Sequence, residues 1–122
     1  MWRRGLSTAR IEIADRVTFN NSVTLISEGP GIRIDSGVLF GTDVEVFDSD
    51  FHALSPELRC EATPATAPVH IEENVFVGSG VRILKGVTIG SGSVIGSGAV
   101  VTRSVAERSV AAGNPARIIR TL

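Results

Sequence analysis

The sequence contains few large side chains and no tyrosine. Five phenylalanines and one tryptophan are the only aromatic residues among 122, although 43% of the chain is hydrophobic. A folded core must therefore be built mainly from small aliphatic side chains. The single cysteine, Cys60, excludes an internal disulfide and makes a cysteine-ligated zinc site within one chain untenable.

Long apolar runs are also missing. No segment approaches the roughly 20 consecutive apolar residues of a membrane-spanning helix, and no signal-peptide pattern opens the sequence. A length of 122 residues suits one domain. We therefore expect a single domain, residues 1–122, that resides in the cytoplasm and does not insert into a membrane.

Positive charge is scarce in the first part of the chain and concentrated in the second. Residues 1–79 hold six arginines and twelve acidic residues, whereas residues 80–122 hold five arginines and one lysine against Glu107 alone. The second part is suited to meeting an anion, although a solvated basic surface explains the charge equally well. A nucleic-acid surface fits less well, because no aromatic residues interleave with these arginines.

An aliphatic residue recurs at every sixth position from residue 71 onward. A second apolar or small residue stands four positions after each of these, and the two sets together are Ile71, Val75, Val77, Val81, Ile83, Val87, Ile89, Ser93, Ile95, Ala99, Val101 and Val105. An amphipathic helix needs spacings of three and four, so this pattern does not predict a helix. Seven glycines between residues 78 and 98 argue against a helix independently.

The spacing instead predicts short strands joined by tight corners. Val75 and Val77 lie two positions apart and therefore share one face of an extended strand. Between such pairs stand glycine-rich triplets such as residues 78–80, which suit sharp turns. Strands and corners that alternate every six residues describe a solenoid with flat sides, whose coils stack about 4.8 Å apart as parallel strands.

The first part of the chain carries the same pattern with two interruptions. Inward positions are predicted at Ile13, Val17, Phe19, Val23, Leu25, Ile34, Val38, Phe40, Val44 and Val46. The register slips by three at residues 29–31. Residues 52–68 contain three prolines and no repeat, so we predict a loop there. At three sides per turn, the repeats amount to about four coils with one excursion loop.

Together, the repeat, the loop and the ending resemble the hexapeptide-repeat acyltransferases, and most closely their galactoside, maltose, xenobiotic and polysaccharide O-acetyltransferase branch. The ending is Val101-Thr102-Arg103 followed by Ala112-Gly113-Asn114-Pro115-Ala116-Arg117. The resemblance covers roughly residues 11–120, and it implies that residues 102–122 form a C-terminal segment that binds CoA and caps the solenoid. It implies an all-β fold, the left-handed parallel β-helix, with acetyl-CoA as co-substrate, no metal, and a homotrimer whose active sites lie between subunits.

One feature departs from that branch. Its sugar acetyltransferases often carry an additional N-terminal helical segment, whereas the repeat here begins within about a dozen residues of Met1. We therefore expect a sugar or glycan acceptor, but we do not assign this chain the particular acceptors of the best-studied members.

Only two histidines are available as a general base for acyl transfer, and an imidazole can take up and release a proton near neutral pH. His52 stands where the repeat gives way to the loop, and the resemblance places the family's catalytic histidine there. Asp50 is a candidate to bind the acceptor or to orient His52, although it is equally a turn residue, and a backbone carbonyl could orient the ring as well. His70 precedes the inward Ile71, so we predict that it points outward and is not catalytic.

The remaining site residues follow from the resemblance. Asn20 approximately matches an acceptor-binding asparagine, although asparagine is also common at solenoid corners. Phe76 stands where the galactoside branch has a tryptophan beside acetyl-CoA, and an exposed phenylalanine could equally pack in a trimer. Ser79 and Ser97 match corner positions that contact the pantetheine arm of CoA. The positions that match contacts to the nucleotide end of CoA are Thr102, Arg103, Arg117 and Arg120. Arginine suits this role because its planar fork pairs with phosphate oxygens.

These features favour acetyl-CoA-dependent O-acetylation of a sugar or polysaccharide-precursor hydroxyl. N-acetylation of an amino sugar on a nucleotide carrier uses the same scaffold and remains an alternative, as does a structural β-helix without catalytic activity. A zinc hydro-lyase that shares the β-helix would need three histidines. Those three histidines come from two subunits, whereas this chain has two histidines in total and only one is well placed, so we reject that function.

Overall fold

The structure is a computed structural model that describes residues 10–122. These residues form fourteen short β-strands and no helix. The strands are β1 (Ile11–Ile13), β2 (Thr18–Phe19), β3 (Thr24–Ile26), β4 (Ile32–Ile34), β5 (Leu39–Phe40), β6 (Glu45–Phe47), β7 (Val69–Ile71), β8 (Phe76–Val77), β9 (Arg82–Ile83), β10 (Thr88–Ile89), β11 (Val94–Ile95), β12 (Val100–Val101), β13 (Ser109–Ala112) and β14 (Arg117–Thr121).

Three sheets enclose the core as the sides of a triangular prism. Sheet A has the order β1-β4-β7-β10, sheet B the order β14-β13-β11-β8-β5-β2, and sheet C the order β12-β9-β6-β3. From β1 to β12, successive strands fall in sheets A, B and C in turn, so the chain winds around one axis through four coils. Every pairing between coils is parallel. The predicted left-handed parallel β-helix is therefore confirmed.

The core consists of the positions that the six-residue period marks as inward. All twelve predicted inward side chains between Ile71 and Val105 are buried, with at most 6% of their surface exposed. Their outward neighbours alternate with them, as Phe76 does between Val75 and Val77. The core is therefore built mainly from a ladder of stacked valines and isoleucines rather than from large side chains.

The first coil departs from this rule. Ile13 and Phe19 occupy inward positions, yet 48% and 40% of their surfaces are exposed. Within residues 10–122, β1, β2 and β3 have a stacked partner on one side only. On that side Phe19 stacks on Phe40, with ring centroids 5.1 Å apart and the rings nearly parallel.

Both interruptions of the repeat fall at the same corner of the prism. Ile11 pairs with Ile32, whereas Phe76 pairs with Val94, so the first coil contains three residues more than the regular coil of eighteen. The extra residues lie in the turn between β3 and β4, where the slip was predicted. The loop occupies residues 48–68, between β6 and β7, and starts four residues earlier than predicted.

Two corners of the prism hold most of the predicted site residues. The loop corner joins sheet C to sheet A and comprises residues 27–31, 48–68, 84–87 and 102–104. The serine corner joins sheet B to sheet C and comprises residues 20–23, 41–44, 78–81 and 96–99.

The C-terminal strands close the described chain with a hairpin that the sequence did not predict. β13 continues sheet B in parallel with β11, and β14 then folds back antiparallel to β13. Between residues 10 and 122, no helix is long and apolar enough to cross a membrane.

Candidate active site

The two arms of the loop are paired at its base. The amide of Asp50 donates to the carbonyl of Ala65 at 3.0 Å, and the amide of Ala67 donates to the carbonyl of Asp48 at 3.0 Å. An antiparallel bridge joins Ser49 to Thr66. The loop therefore leaves the prism as a short ribbon, and His52 stands two residues after Asp50, where the ribbon ends.

His52 is exposed, and its Nδ1 atom lies 3.2 Å from the backbone carbonyl oxygen of Arg59. Because a carbonyl oxygen can only accept, this contact favours the tautomer that carries its hydrogen on Nδ1. Nε2 then keeps its lone pair. The Arg59 guanidinium donates from Nη2 to the carbonyl of Leu54 at 2.9 Å, which closes the turn that presents the Arg59 carbonyl.

Asp50 makes its ion pair with the solenoid rather than with the imidazole. Its Oδ1 atom lies 3.0 Å from Nζ of Lys85, on the next coil of the loop corner, and both side chains are partly buried. The ion pair ties the outgoing arm of the loop to the solenoid. A role for Asp50 in acceptor binding stays a prediction.

The tip of the loop is exposed and carries two large apolar side chains. Leu54 is 76% exposed and Leu58 is 48% exposed. Between them, the Ser55 hydroxyl donates to the carboxylate of Glu57, and this hydrogen bond lowers the pKa of Glu57 below its ordinary value. The tip therefore offers apolar surface close in sequence to His52.

At the serine corner, Ser79 and Ser97 are exposed and stack over glycines of the preceding coil. A Cβ atom on Gly41 would lie 2.7 Å from the amide nitrogen and from Oγ of Ser79, and one on Gly78 would lie 2.8 Å from the amide nitrogen of Ser97. Only glycine permits such an approach. The result is a column of hydroxyl groups close to the backbone, in which Ser79 Oγ also accepts from the amide of Thr42 at 3.1 Å.

Asn20 lies at the same corner, one coil before Gly41. Its side-chain Nδ2 donates to the carbonyl of Phe40 at 2.9 Å, and its backbone amide contacts the same carbonyl at 3.2 Å. These hydrogen bonds show that Asn20 stabilises the corner. Acceptor binding by Asn20 stays a prediction.

Phe76 stands on the outer face of sheet B and is 44% exposed, between Val75 and Val77, which are buried. Its neighbours in register on this face are Leu39 and Val94. The three side chains form an apolar stripe along sheet B. We refer to them below as the sheet B stripe.

The predicted nucleotide-end residues are all exposed but lie apart from one another. Thr102 and Arg103 stand at the loop corner, one coil beyond Lys85. Arg117 and Arg120 stand on β14, where Arg117 pairs with Ala112 and Arg120 pairs with Val110. Arg117 therefore lies at the end of β14 near the serine corner.

The structure thus divides seven of the ten predicted site residues between two corners of one chain. His52, Asp50, Thr102 and Arg103 lie at the loop corner. Asn20, Ser79 and Ser97 lie at the serine corner, on the other side of sheet C. The two groups of residues are therefore separated by the width of sheet C.

His70 points outward, as predicted, and has a partner that the sequence did not reveal. Its Nε2 atom lies 2.7 Å from Oδ2 of Asp35, whose other oxygen accepts from Nε of Arg33 at 3.1 Å. Asp35 lies thirty-five residues earlier, and the two residues approach only because β4 and β7 are neighbours in sheet A. The signal that could have found the pair is the six-residue register carried across the loop.

Two surface depressions lie away from the predicted catalytic and binding residues. One, of about 410 Å³, lies on sheet A around Arg33 and His70. The other, of about 490 Å³, lies around Glu72, Glu73 and Arg108. Among residues 10–122, no group of three or more histidine, cysteine or acidic side chains is arranged to hold a metal ion.

Comparison with known proteins points to the same repeat. A family model described as bacterial transferase hexapeptide (six repeats) matches residues 68–103. The chain is 39% identical over 103 residues to a galactoside O-acetyltransferase of Lactococcus lactis, and the match covers 84% of this chain and 49% of the relative. A hexapeptide-repeat acetyltransferase from Vibrio cholerae superposes with a TM-score of 0.86 at 34% identity, over 92% of this chain and 62% of that one.

A second structure of the Vibrio protein contains acetyl-CoA. It superposes with a TM-score of 0.78 at 27% identity, over 98% of this chain and 73% of that one. The chain spans about half the length of the Lactococcus relative that it matches.

Proposed function

Since this chain belongs to the hexapeptide-repeat transferase family, as its repeat and ending predicted, we propose that it transfers an acetyl group from acetyl-CoA to a hydroxyl of a sugar or polysaccharide precursor. The Lactococcus relative is named for O-acetylation of galactosides, and the Vibrio relative binds acetyl-CoA. These two names support the acceptor class and the donor. A donor of this kind also fits the cytoplasmic location expected from the sequence.

His52 is the general base of the proposed reaction. Its Nε2 atom takes the proton of the acceptor hydroxyl while the hydroxyl oxygen attacks the thioester carbonyl. The carbon–sulfur bond then breaks, the acetyl group stays on the acceptor oxygen, and the CoA sulfur leaves with the proton from the imidazolium. No net proton is gained or lost.

The contact between His52 Nδ1 and the Arg59 carbonyl carries this assignment. It favours a hydrogen on Nδ1 and leaves Nε2 free to act as a base. The base must also stay neutral until it reacts, and a carbonyl orients the imidazole without adding a charge beside it.

The proposed active unit is a homotrimer with one site at each contact between chains. Support comes from the division of the site residues, because a neighbouring chain can bring its serine corner against the loop corner. The sheet B stripe supports the same assembly. Exposed apolar side chains that line up along one face are typical of a subunit contact.

The test compares two histidine variants in a CoA-release assay with a panel of hydroxyl and amine acceptors. General base catalysis contributes about 10²- to 10⁴-fold, so His52→Ala should lower kcat by at least that range while CoA binding is unchanged. His70→Ala is the matched control, because His70 is the only other histidine in the sequence, and it should be nearly silent. Retention of most activity by His52→Ala would refute the base assignment, and turnover of amines alone would refute O-acetylation.

A further inference from the structure

The residue that starts the loop is a buried carboxylate held by uncharged donors. Asp48 is fully buried. Its Oδ1 atom accepts from the amide of Glu28 at 2.8 Å, and its Oδ2 atom accepts from the amide of Gly31 at 2.9 Å and from the hydroxyl of Ser27. Three donors offset the cost of burying the charge. The first residue of the loop is thus locked onto the turn that contains the extra three residues.

Ser49 extends this lock toward His52. Only 5% of Ser49 is exposed. Its hydroxyl donates to Oε1 of Glu28 at 2.8 Å and accepts from the amide of Phe51 at 2.9 Å. Glu28 therefore donates to Asp48 from its backbone amide and accepts from Ser49 through its side-chain carboxylate. One hydroxyl group joins the solenoid to the residue directly before His52.

Phe51 needs such an anchor because its backbone is in an unfavourable region. Its φ angle is +66°, in the left-handed region that bulky side chains rarely adopt. The Ser49 hydroxyl accepts the Phe51 amide hydrogen in that conformation, and the Phe51 ring packs edge-on against Phe47 at 5.3 Å. The backbone direction with which the chain enters His52 is set by this arrangement.

We propose that Ser49 is a positioning residue for His52 and acts through Phe51, with Glu28 and Asp48 as its anchor. The inference rests on the proposed role of His52 as general base. Loss of the Ser49 hydroxyl frees the Phe51 amide, and Phe51 then relaxes toward an ordinary backbone conformation. His52 moves with it, away from the Arg59 carbonyl, and no longer holds its hydrogen on Nδ1.

The effect should fall on catalysis rather than on donor binding. A small misplacement of a reacting group can cost about 10²-fold in rate. Ser49→Ala should therefore lower kcat by about 10- to 100-fold, while the KM for acetyl-CoA stays within about twofold. Ser49→Thr keeps the hydroxyl and should restore most of the activity. Ser55→Ala removes another serine hydroxyl of the same loop, one that bonds to Glu57, and should leave kcat unchanged.

Two further measurements separate positioning from loss of folding and from an incorrect base. The long-range nitrogen NMR signals of the His52 ring should report the Nδ1–H tautomer in the unsubstituted protein and in Ser49→Thr, and a tautomer mixture in Ser49→Ala with an unchanged melting temperature. In a His52→Ala background, adding Ser49→Ala should lower the residual rate no further.

The outcomes are distinct. If His52→Ala keeps its activity, the base assignment fails and the positioning role falls with it. If His52→Ala is inactive but Ser49→Ala equals the unsubstituted protein, only the positioning role is overturned. Equal losses in Ser49→Ala and Ser55→Ala, or no rescue by Ser49→Thr, would also overturn it, because the effect would then belong to the loop in general.

Discussion

Arg103 and Arg117, two of the basic residues in the second part of the chain, lie near opposite edges of sheet C. Arg103 stands at the loop corner and Arg117 at the end of β14 near the serine corner, and both are exposed. Neither has a carboxylate partner among the ion pairs of residues 10–122. Both guanidinium groups are therefore available to bind phosphate groups.

We predict that Arg117→Ala raises the KM for acetyl-CoA by about tenfold to a hundredfold with a smaller effect on kcat, and that Arg103→Ala acts likewise. Hydrogen bonds to charged groups contribute about 1.5–3 kcal/mol, and phosphates far from the thioester contribute to binding in ground and transition state alike. Steady-state kinetics with varied acetyl-CoA measures this. Arg10→Ala is the control, since Arg10 pairs with Glu12 on sheet A. Equal KM values for acetyl-CoA in all three variants would mean that Arg103 and Arg117 are ordinary solvated surface residues.

At the scale of elements, the corners depend on glycines that let successive coils touch. A Cβ atom on Gly78 would lie 2.8 Å from the Ser97 amide nitrogen and 2.9 Å from the Ile95 carbonyl oxygen. Both contacts are with backbone atoms, which cannot move aside without disturbing β11. Gly98 differs, because its φ is +76° but a Cβ atom there would meet nothing within 4 Å.

Gly78→Ala should therefore destabilise the fold more than Gly98→Ala. We expect about 1–3 kcal/mol for the overpacked Gly78 corner and about 1–2 kcal/mol for the strained backbone at Gly98. Urea unfolding at one fixed protein concentration compares the two variants. A Gly78→Ala variant as stable as the unsubstituted protein would mean that the corner opens without cost and that close stacking does not hold the serine column in place.

The sequence predicted the elements better than their ends and contacts. The six-residue period identified the inward positions from Ile71 to Val105, because alternation and coil geometry follow from local spacing. It could not predict that Ile13 and Phe19 would be exposed, because burial there depends on what stacks beyond the first coil. It also missed the β13–β14 hairpin, which has no six-residue period.

The candidate site was predictable only in part for a related reason. His52 was proposed as the base from its place at the start of the loop together with the family resemblance, and this role stays a prediction. The bond between Ser49 and Glu28 spans 21 residues, and the pair of His70 with Asp35 spans 35. Such contacts require the register across the three-residue slip and across the loop. A single sequence reveals that both interruptions exist but not the geometry that absorbs them.

On the scale of the whole molecule, the outer faces of sheets A and B differ in chemistry. The outer face of sheet A carries Arg33 and His70 with their carboxylate partner, whereas sheet B carries the sheet B stripe. In that stripe, Leu39 and Phe76 are 39% and 44% exposed. The apolar face is the one suited to bury surface against another chain.

We predict a particle of about three times the chain mass of 12.8 kDa at micromolar concentration. Leu39→Glu should shift the mass toward the monomer and abolish acetyl transfer, because each site would lose the residues of its neighbour. Thr88→Glu places the same charge on the outer face of sheet A and should leave the particle intact. Light scattering coupled to size exclusion measures both. A monomer with full activity would refute the assembly and the shared site together.

The position of both interruptions at one corner also bears on how the chain can change. The three extra residues of the first coil and the whole loop are accommodated at the loop corner, and all three sheets keep their parallel register on either side. Insertion there leaves the ladder of valines and isoleucines untouched. The loop corner therefore tolerates insertions. Segments of different length and composition could be exchanged there to alter which acceptor is recognised, provided that the hydrogen bonds that hold Asp48 are kept.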